Sequence, residues 1–492
     1  MRPISYYLSE PKWLTLILVN IATFLAPLDT GIVALVLPNI ARDFKTGIDI
    51  AIWVSVIYLI VLTTFMTSFG RFSDIHGRKK YFVVGLSIFV IGSFFSGMSQ
   101  TMAELLIFRI IQAIGAALLL VNSRAIITDA FPPEERRLAM SIHVTVIYLA
   151  IATGPALGAV ITEYIGWRNV FFINVPLGLL LLPIISKKLS ESKKSINQSM
   201  DWLGSFFFAS SLSCLLIAIT FGPKESWTSV DLYIEEIFFP MFGNFHIWSR
   251  LAISIPLLVL PVLSLAFLLV FVIVEYRSKN PILDLRMMSK NRLFLSTNLS
   301  ALFMYTSHFN SLVMISFYLQ LIRLFDPIES AFMISAFPFS VVITSIAVGK
   351  YSKSISSREL CALGFGIVAI SLLLMSRLDI NSSILFIEVS LIILGIGLSL
   401  FAAPNTNANL SSVSSQDRSL ANGMLGTMRH MGQSLSLAIG ASTVGLFLSA
   451  DIYNVGGSIS VAQYIEGLSQ AFFIGFLIAV FGIFVALIRE NK

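Results

Sequence analysis

Gly70-Arg71-Phe72-Ser73-Asp74-Ile75-His76-Gly77-Arg78-Lys79-Lys80 is the most charged short run in a chain that is otherwise overwhelmingly apolar, and a long hydrophobic segment lies on each side of it. Apolar helices entering and leaving this run cannot bury its cations in hydrocarbon. The run therefore reads as a tight loop at a membrane surface, with glycines where the chain turns. Its basic excess assigns that surface to the cytoplasm.

Composition agrees with this placement. Of 492 residues, 56% are hydrophobic and 12% charged, and the mean hydropathy is +0.86. A water-soluble fold of this make-up would expose large apolar patches, so the chain is expected to be an all-α polytopic membrane protein embedded in a lipid bilayer. The net charge of +6 does not point to nucleic acid, because Lys and Arg sit in short loops between apolar spans, as topology determinants do. Cys214 and Cys361 both fall inside apolar spans, far apart in sequence, and support neither a disulfide framework nor a metal site.

Allowing about 20 apolar residues per crossing, helices are expected near 13–37, 50–70, 81–99, 103–124, 138–162 and 169–187, then 202–222 and 251–275, then 293–320, 330–350, 359–377, 383–405, 420–449 and 470–489. This is a fourteen-helix chain: a first bundle over 13–187, two inserted helices with a long outer loop at 222–250 within 188–292, and a second bundle over 293–489. Cations concentrate in alternate loops, at Arg71 to Lys80, Arg136 and Arg137, Lys187 to Lys194, and Arg277 to Arg292. That asymmetry places both termini in the cytoplasm of a plasma-membrane protein. The outer loop, rich in Trp, Tyr and Phe, reads as an aromatic-anchored interfacial segment, with a part in gating or in catching substrate as the alternative.

An internal repeat emerges when the opening run is slid along the chain. Gly70-Arg71-Phe72-Ser73 falls on Gly349-Lys350-Tyr351-Ser352, with Lys353 where Asp74 stands, and Glu134 to Ala139 lies over Gln416 to Ala421 at nearly the same register. Duplicated halves of this kind put a substrate cavity at the midplane between them and rock about it.

Ionisable groups deep in a bilayer are costly and mark function by default. Asp29 lies roughly 24 Å from the inner face and Arg109 roughly 20 Å, counting about 1.5 Å per residue along the first and fourth helices. A carboxylate and a guanidinium at similar depth could exchange a proton for substrate, or could simply tie the two helices together. The repeat register lays His308 over Asp29, which makes it a candidate second protonation site with Asn310 beside it; a packing histidine is the other reading. Gly154, Pro155 and Gly158 suit close helix packing with a kink. No Gly-rich Lys motif for ATP occurs, and no metal-ligand or nucleophile-base spacing, so neither cofactor, metal site nor enzyme activity is expected.

Several of these stretches resemble the major facilitator superfamily, and within it the fourteen-helix drug:proton antiporters. Gly70 to Lys80 is similar to its signature between helices two and three. Leu28-Asp29-Thr30 with Ala34 to Pro38, Arg109-Ile110-Ile111-Gln112-Ala113-Ile114-Gly115, and Gly154-Pro155-Ala156-Leu157-Gly158 resemble the first-, fourth- and fifth-helix motifs of drug antiporters. Trp167 to Pro176, Leu283 to Arg286, Tyr318-Leu319-Gln320, and Asn422-Gly423 followed by Arg429 resemble the fourteen-helix branch. The resemblance implies a gate latch in which Asp74 engages the second half and Arg78 engages Asp129, and a fifth helix that seals against the second half. It also implies a monomeric, proton-coupled exporter of hydrophobic or cationic compounds. An exporter of one endogenous metabolite or lipid is the alternative, and a non-transporting receptor a more distant one.

Overall fold

The computed structural model describes residues 10–191, 201–222, 229–234, 251–278, 281, 283–351, 355–414, 418–447 and 461–488. Fourteen helical rods run through it. In the first half they are α1 (Pro11–Asp43), α2 (Trp53–His76), α3 (Arg78–Met98), α4 (Met102–Ala130), α5 (Pro133–Ile165) and α6 (Asn174–Lys188). Then come α7 (Trp202–Phe221) and α8 (Val259–Arg277). The second half has α9 (Arg292–His308, continuing through Asn310–Phe317 into a π-helical turn at Tyr318–Ile322), α10 (Pro327–Tyr351), α11 (Ser357–Met375), α12 (Ile384–Ser411), α13 (Arg418–Phe447) and α14 (Val461–Leu487).

Eleven of the described helices are long and apolar enough to cross a membrane, and α2, bent by 49° after Met66, makes a twelfth. Thr63 and Thr64, just before the bend, turn their hydroxyls back onto the carbonyls of Leu59 and Ile60, a bonding pattern that bends helices. The two remaining rods, α9 and α13, are the more polar ones. They bury Thr297, Asn298, Ser307, Ser434 and Ser436 against other helices instead of showing them to lipid. The outer surface is the reverse, with Phe206, Leu265, Phe332 and Ile346 all exposed.

α1, α4, α5, α9 and α10 extend beyond both of their expected ends while others, α3, α7 and α11 among them, stop one or two residues short, and two regions differ in kind. The loop at 70–80 is almost entirely helical: α2 runs to His76 and α3 starts at Arg78, so the turn is made by Gly77 alone, at φ +117°. Gly70 lies within α2, where a Cβ would come within 2.9 Å of Val121 on α4; it is a packing glycine and does not make the turn. The other difference lies at the start of the eighth rod. Residues expected to open a helix at 251 instead form a strand, β2 (Leu251–Pro256), antiparallel to β1 (Ser229–Ile234), with Ser229 opposite Pro256 and Ile234 opposite Leu251. The aromatic tip of that loop, with Lys193, Lys194 and Lys353, lies outside the described residues.

Glycines let the helices touch in pairs, and they do so in repeat register. Gly85 of α3 meets Gly115 of α4, where a Cβ on Gly115 would stand 2.7 Å from the Gly85 carbonyl oxygen. The same register brings Gly364 of α11 onto Gly397 of α12, also at 2.7 Å. Likewise α1 crosses α5 at Gly31 and Gly154, and α9 crosses α13 at the matching residues, where the Asn310 N–H donates to Ser436 Oγ at 3.0 Å. The inserted pair is held by reciprocal bonds, each hydroxyl of Ser211 and Ser264 donating to the other's carbonyl at 2.9 Å. Its α7 packs on both α2 and α13, at the seam between the halves.

Candidate functional site

Asp29 sits on α1 with Arg109 of α4, and both side chains are 1% exposed. Arg109 Nη1 lies 2.5 Å from Asp29 Oδ2 and also donates to Gln112 Oε1 at 2.7 Å, while its Nε donates to the Val54 carbonyl at 3.1 Å. Its guanidinium plane lies 4.2 Å from the centre of the Tyr58 ring. The second carboxylate oxygen of Asp29 accepts from Gln112 Nε2 at 2.9 Å and faces Asn174 Nδ2 at 3.5 Å. Ser93 closes the cluster, accepting from Gln112 and Asn174 and donating to the Phe171 carbonyl. Five helices of the first half thus converge on one carboxylate. A buried ion pair is tolerable only when its remaining donors and acceptors are also met, and here the Val54 carbonyl and Gln112 partner the guanidinium while Gln112 and Asn174 face the carboxylate.

Sequence reading singled out Asp29 and Arg109 and missed Tyr58, Ser93, Gln112 and Asn174. Gln112 stood inside the quoted fourth-helix stretch, one turn after Arg109, and that i, i+3 spacing was the available signal. Asn174 likewise stood inside Trp167 to Pro176.

A second polar group lies between the halves. A cavity is bounded by Ile147 and Ile151 of α5 on one side. On the other side stand Tyr305, His308 and Phe309 of α9, Phe337 of α10, and Arg429 and Gln433 of α13. His308 therefore lines a central cavity, and Asp29 is not among the residues that do. His308 Nδ1 donates to the Met304 carbonyl at 2.7 Å, which leaves Nε2 as its remaining nitrogen. Asn310 points away from this space: its side chain packs against Gly440 of α13.

At the Gly77 turn, Arg78 bridges Asp74 and Asp129, each at 2.6 Å, and the Lys79 N–H donates to Glu191 at 3.0 Å. A Cβ on Gly77 would press on that same Glu191 carboxylate. The Arg78–Asp129 contact has the geometry that the resemblance implied. Asp74 is bonded to Arg78, within its own half. In the fifth-helix motif, Gly154 and Gly158 meet Gly31 and Ile32 of α1, whereas Pro155 shares a small cavity with Ile334, Phe337 and Pro338 of α10. One motif therefore serves two faces, glycines inward and proline toward the other half.

At the opposite end of α1 the halves are tied together. Asn39 donates to Gln320 Oε1 at 2.9 Å and Arg42 to the Gln320 carbonyl at 2.6 Å. Gln320 Nε2 and Ser316 Oγ both donate to the Leu35 carbonyl, at 2.9 and 3.0 Å.

Comparison with known proteins agrees with this architecture. The chain is 27% identical to the riboflavin transporter RibZ of Clostridioides difficile (strain 630), over 98% of each chain. It is 31% identical to multidrug resistance protein 3 of Bacillus subtilis (strain 168), over 84% of this chain and 76% of that one. In fold it is similar to a bacterial homologue of the human lysosomal transporter Spinster, solved in an inward-facing, unoccupied conformation, with a TM-score of 0.67 over 97% of each chain and 15% identity. The sequence profile of the Major Facilitator Superfamily matches residues 19–437, and the protein is a multi-span membrane transporter belonging to that superfamily.

Proposed function

We propose that the protein is a proton-coupled antiporter that exports hydrophobic organic compounds by alternating access of the cavity between its halves. The observation that carries this reading is the Asp29–Arg109 pair, a fully buried ionisable couple whose carboxylate sits on the helix that also makes the inter-half contacts at Leu35, Asn39 and Arg42. Protonating Asp29 releases Arg109 and Gln112. The same helix can pass that change to the tie at Gln320. Charge bias among the loops supports cytoplasmic termini in a plasma membrane, with the Gln320 tie on the outer side and the cavity reached from the inside. A monomer suffices for this scheme, with no cofactor and no nucleic acid.

The relative named multidrug resistance protein 3 supports export of varied compounds. A second reading, transport of one endogenous metabolite, is favoured by the riboflavin transporter, which matches end to end. The test is proton-gradient-driven uptake of a compound panel, riboflavin included, into inverted vesicles. Uptake should collapse with a protonophore. Asp29→Asn should abolish gradient-driven transport and keep binding, and Asp29→Glu should retain part of both. Proton release on substrate binding that persists undiminished in Asp29→Asn would move coupling elsewhere, with His308 next in line.

A further inference from the structure

Among the described residues that line the cavity between the halves there is a guanidinium, Arg429, and no carboxylate. Arg429 stands in it beside Gln433 and His308, with the guanidinium 5.1 Å from the Tyr305 ring centre. The only intramembrane carboxylate proposed for coupling, Asp29, is neutralised by Arg109 inside the first half. The first half adds a second cation, since Arg124 of α4 lies within electrostatic reach of His143 on α5 and of His430, the residue next to Arg429. Arg124 is about 9 Å from the Ala130 end of α4 and Arg429 about 17 Å from the Arg418 end of α13, at about 1.5 Å per residue. Both of those ends lie on the Gly77 side, so Arg124 stands nearer that surface than Arg429 does and adds its field to the approach.

We infer that this cavity selects amphipathic organic anions: an aromatic or apolar body on Tyr305, Phe309 and Phe337, with one acidic group toward Arg429. In a low-dielectric cavity a guanidinium gives an acidic oxygen charge-assisted, directional hydrogen bonds, and it opposes a cation of the same shape by desolvation and repulsion. The inference rests on the reading of this cavity as the transport site, and it replaces a cationic preference with an anionic one.

The test uses the full chain in nanodiscs of zwitterionic phosphatidylcholine and two dyes with the same rings, 8-anilinonaphthalene-1-sulfonate and its neutral analogue N-phenyl-1-naphthylamine. Binding is taken relative to empty discs. Arg429→Gln should weaken the sulfonate about ten-fold or more, the usual size of a lost hydrogen bond to a charged group, and leave the neutral dye unchanged. Arg429→Lys should restore most of the sulfonate affinity. Arg124→Gln should weaken the sulfonate selectively and to a lesser degree, and it decides the matter if Arg429→Gln does not fold. Sulfonate affinity unchanged in a folded Arg429→Gln, or displacement of the sulfonate by tetraphenylphosphonium at equal or lower concentration than by an aromatic carboxylate, would overturn the inference. Export fails separately: sulfonate binding without transport of any compound sinks the antiporter reading alone, and cation transport without sulfonate binding sinks this inference alone.

Discussion

Arg109 is built into its site more tightly than a point charge requires. Its guanidinium reaches Asp29, Gln112 and the Val54 carbonyl at once, and its flat face packs on Tyr58. A lysine offers neither the fork nor the plane, so Arg109→Lys should lose transport nearly as completely as Asp29→Asn. Stability should separate partner from partner. Arg109→Leu strands a buried carboxylate and should cost about 3–5 kcal/mol, whereas Asp29→Leu combined with Arg109→Leu should recover much of that loss. Thermal melts of the two single variants and the double variant in detergent measure it as a cycle. Additive losses would mean that the pair is not coupled. The carboxylate and guanidinium were legible from sequence because charges in an apolar span are conspicuous. Tyr58, Ser93 and Asn174 were not, since polar uncharged residues are common in helices and only packing reveals that they converge.

The helices show which motifs are packing devices and which are joints. On α1, Asp29, Gly31, Leu35, Asn39 and Arg42 follow one another within about 20 Å, so the ion pair, the crossing with α5 and the tie to α9 share one rigid rod. Gly154 has no room for a side chain, because a Cβ there would sit 2.8 Å from the Gly31 backbone, and backbone cannot swing aside. Gly154→Ala should therefore destabilise by about 1–3 kcal/mol, the usual cost of overpacking, whereas Gly423→Ala, with nothing within 4 Å of its Cβ position, should be silent. Equal melting temperatures for the two would refute the crossing as a constraint. Asp74→Asn should leave Arg78 with Asp129 as its charged partner, keep the protein folded, and reduce transport. Unchanged transport at normal expression would leave the run from Gly70 to Lys80 as a topology signal only. That run was read correctly as a turn between two apolar helices, but its length was overestimated. Charge says that a segment must reach the surface, and it does not say that helical hydrogen bonding stops there; Gly77, with its positive φ, is what stops it. The strand at Leu251–Pro256 was missed for a related reason, since a short apolar run reads equally as helix or strand.

At the scale of the whole molecule, the hydrogen bonds between Gln320 and α1 hold the halves together at the Arg42 end. At the Gly77 end Asp74, Arg78 and Asp129 satisfy one another inside the first half. A rocking transporter needs a breakable tie of this kind, strong enough to populate one state and weak enough to release. Gln320 lies in the π-helical turn Tyr318–Ile322, a local over-wide coil often found at functional sites, which sets its side chain against the Leu35 carbonyl and Asn39. Sequence reading noted Tyr318-Leu319-Gln320 as a motif without a mechanism; the geometry supplies one. Net hydrogen-bond contributions of about 0.5–1.5 kcal/mol each make the two side-chain partnerships worth about 1–3 kcal/mol, or about 5- to 150-fold in a two-state equilibrium. Gln320→Ala should accordingly shift the population toward the state open at the Arg42 end, seen as faster labelling of a cysteine placed at Leu35. The converse locks it: Asn39→Cys with Gln320→Cys, bridged through two mixed disulfides by a short bis-methanethiosulfonate linker, should stop transport, and reductant should restore it. A bridged protein that transports at the unbridged rate would show that the halves do not part at this contact, and the alternating-access scheme would need its gate elsewhere.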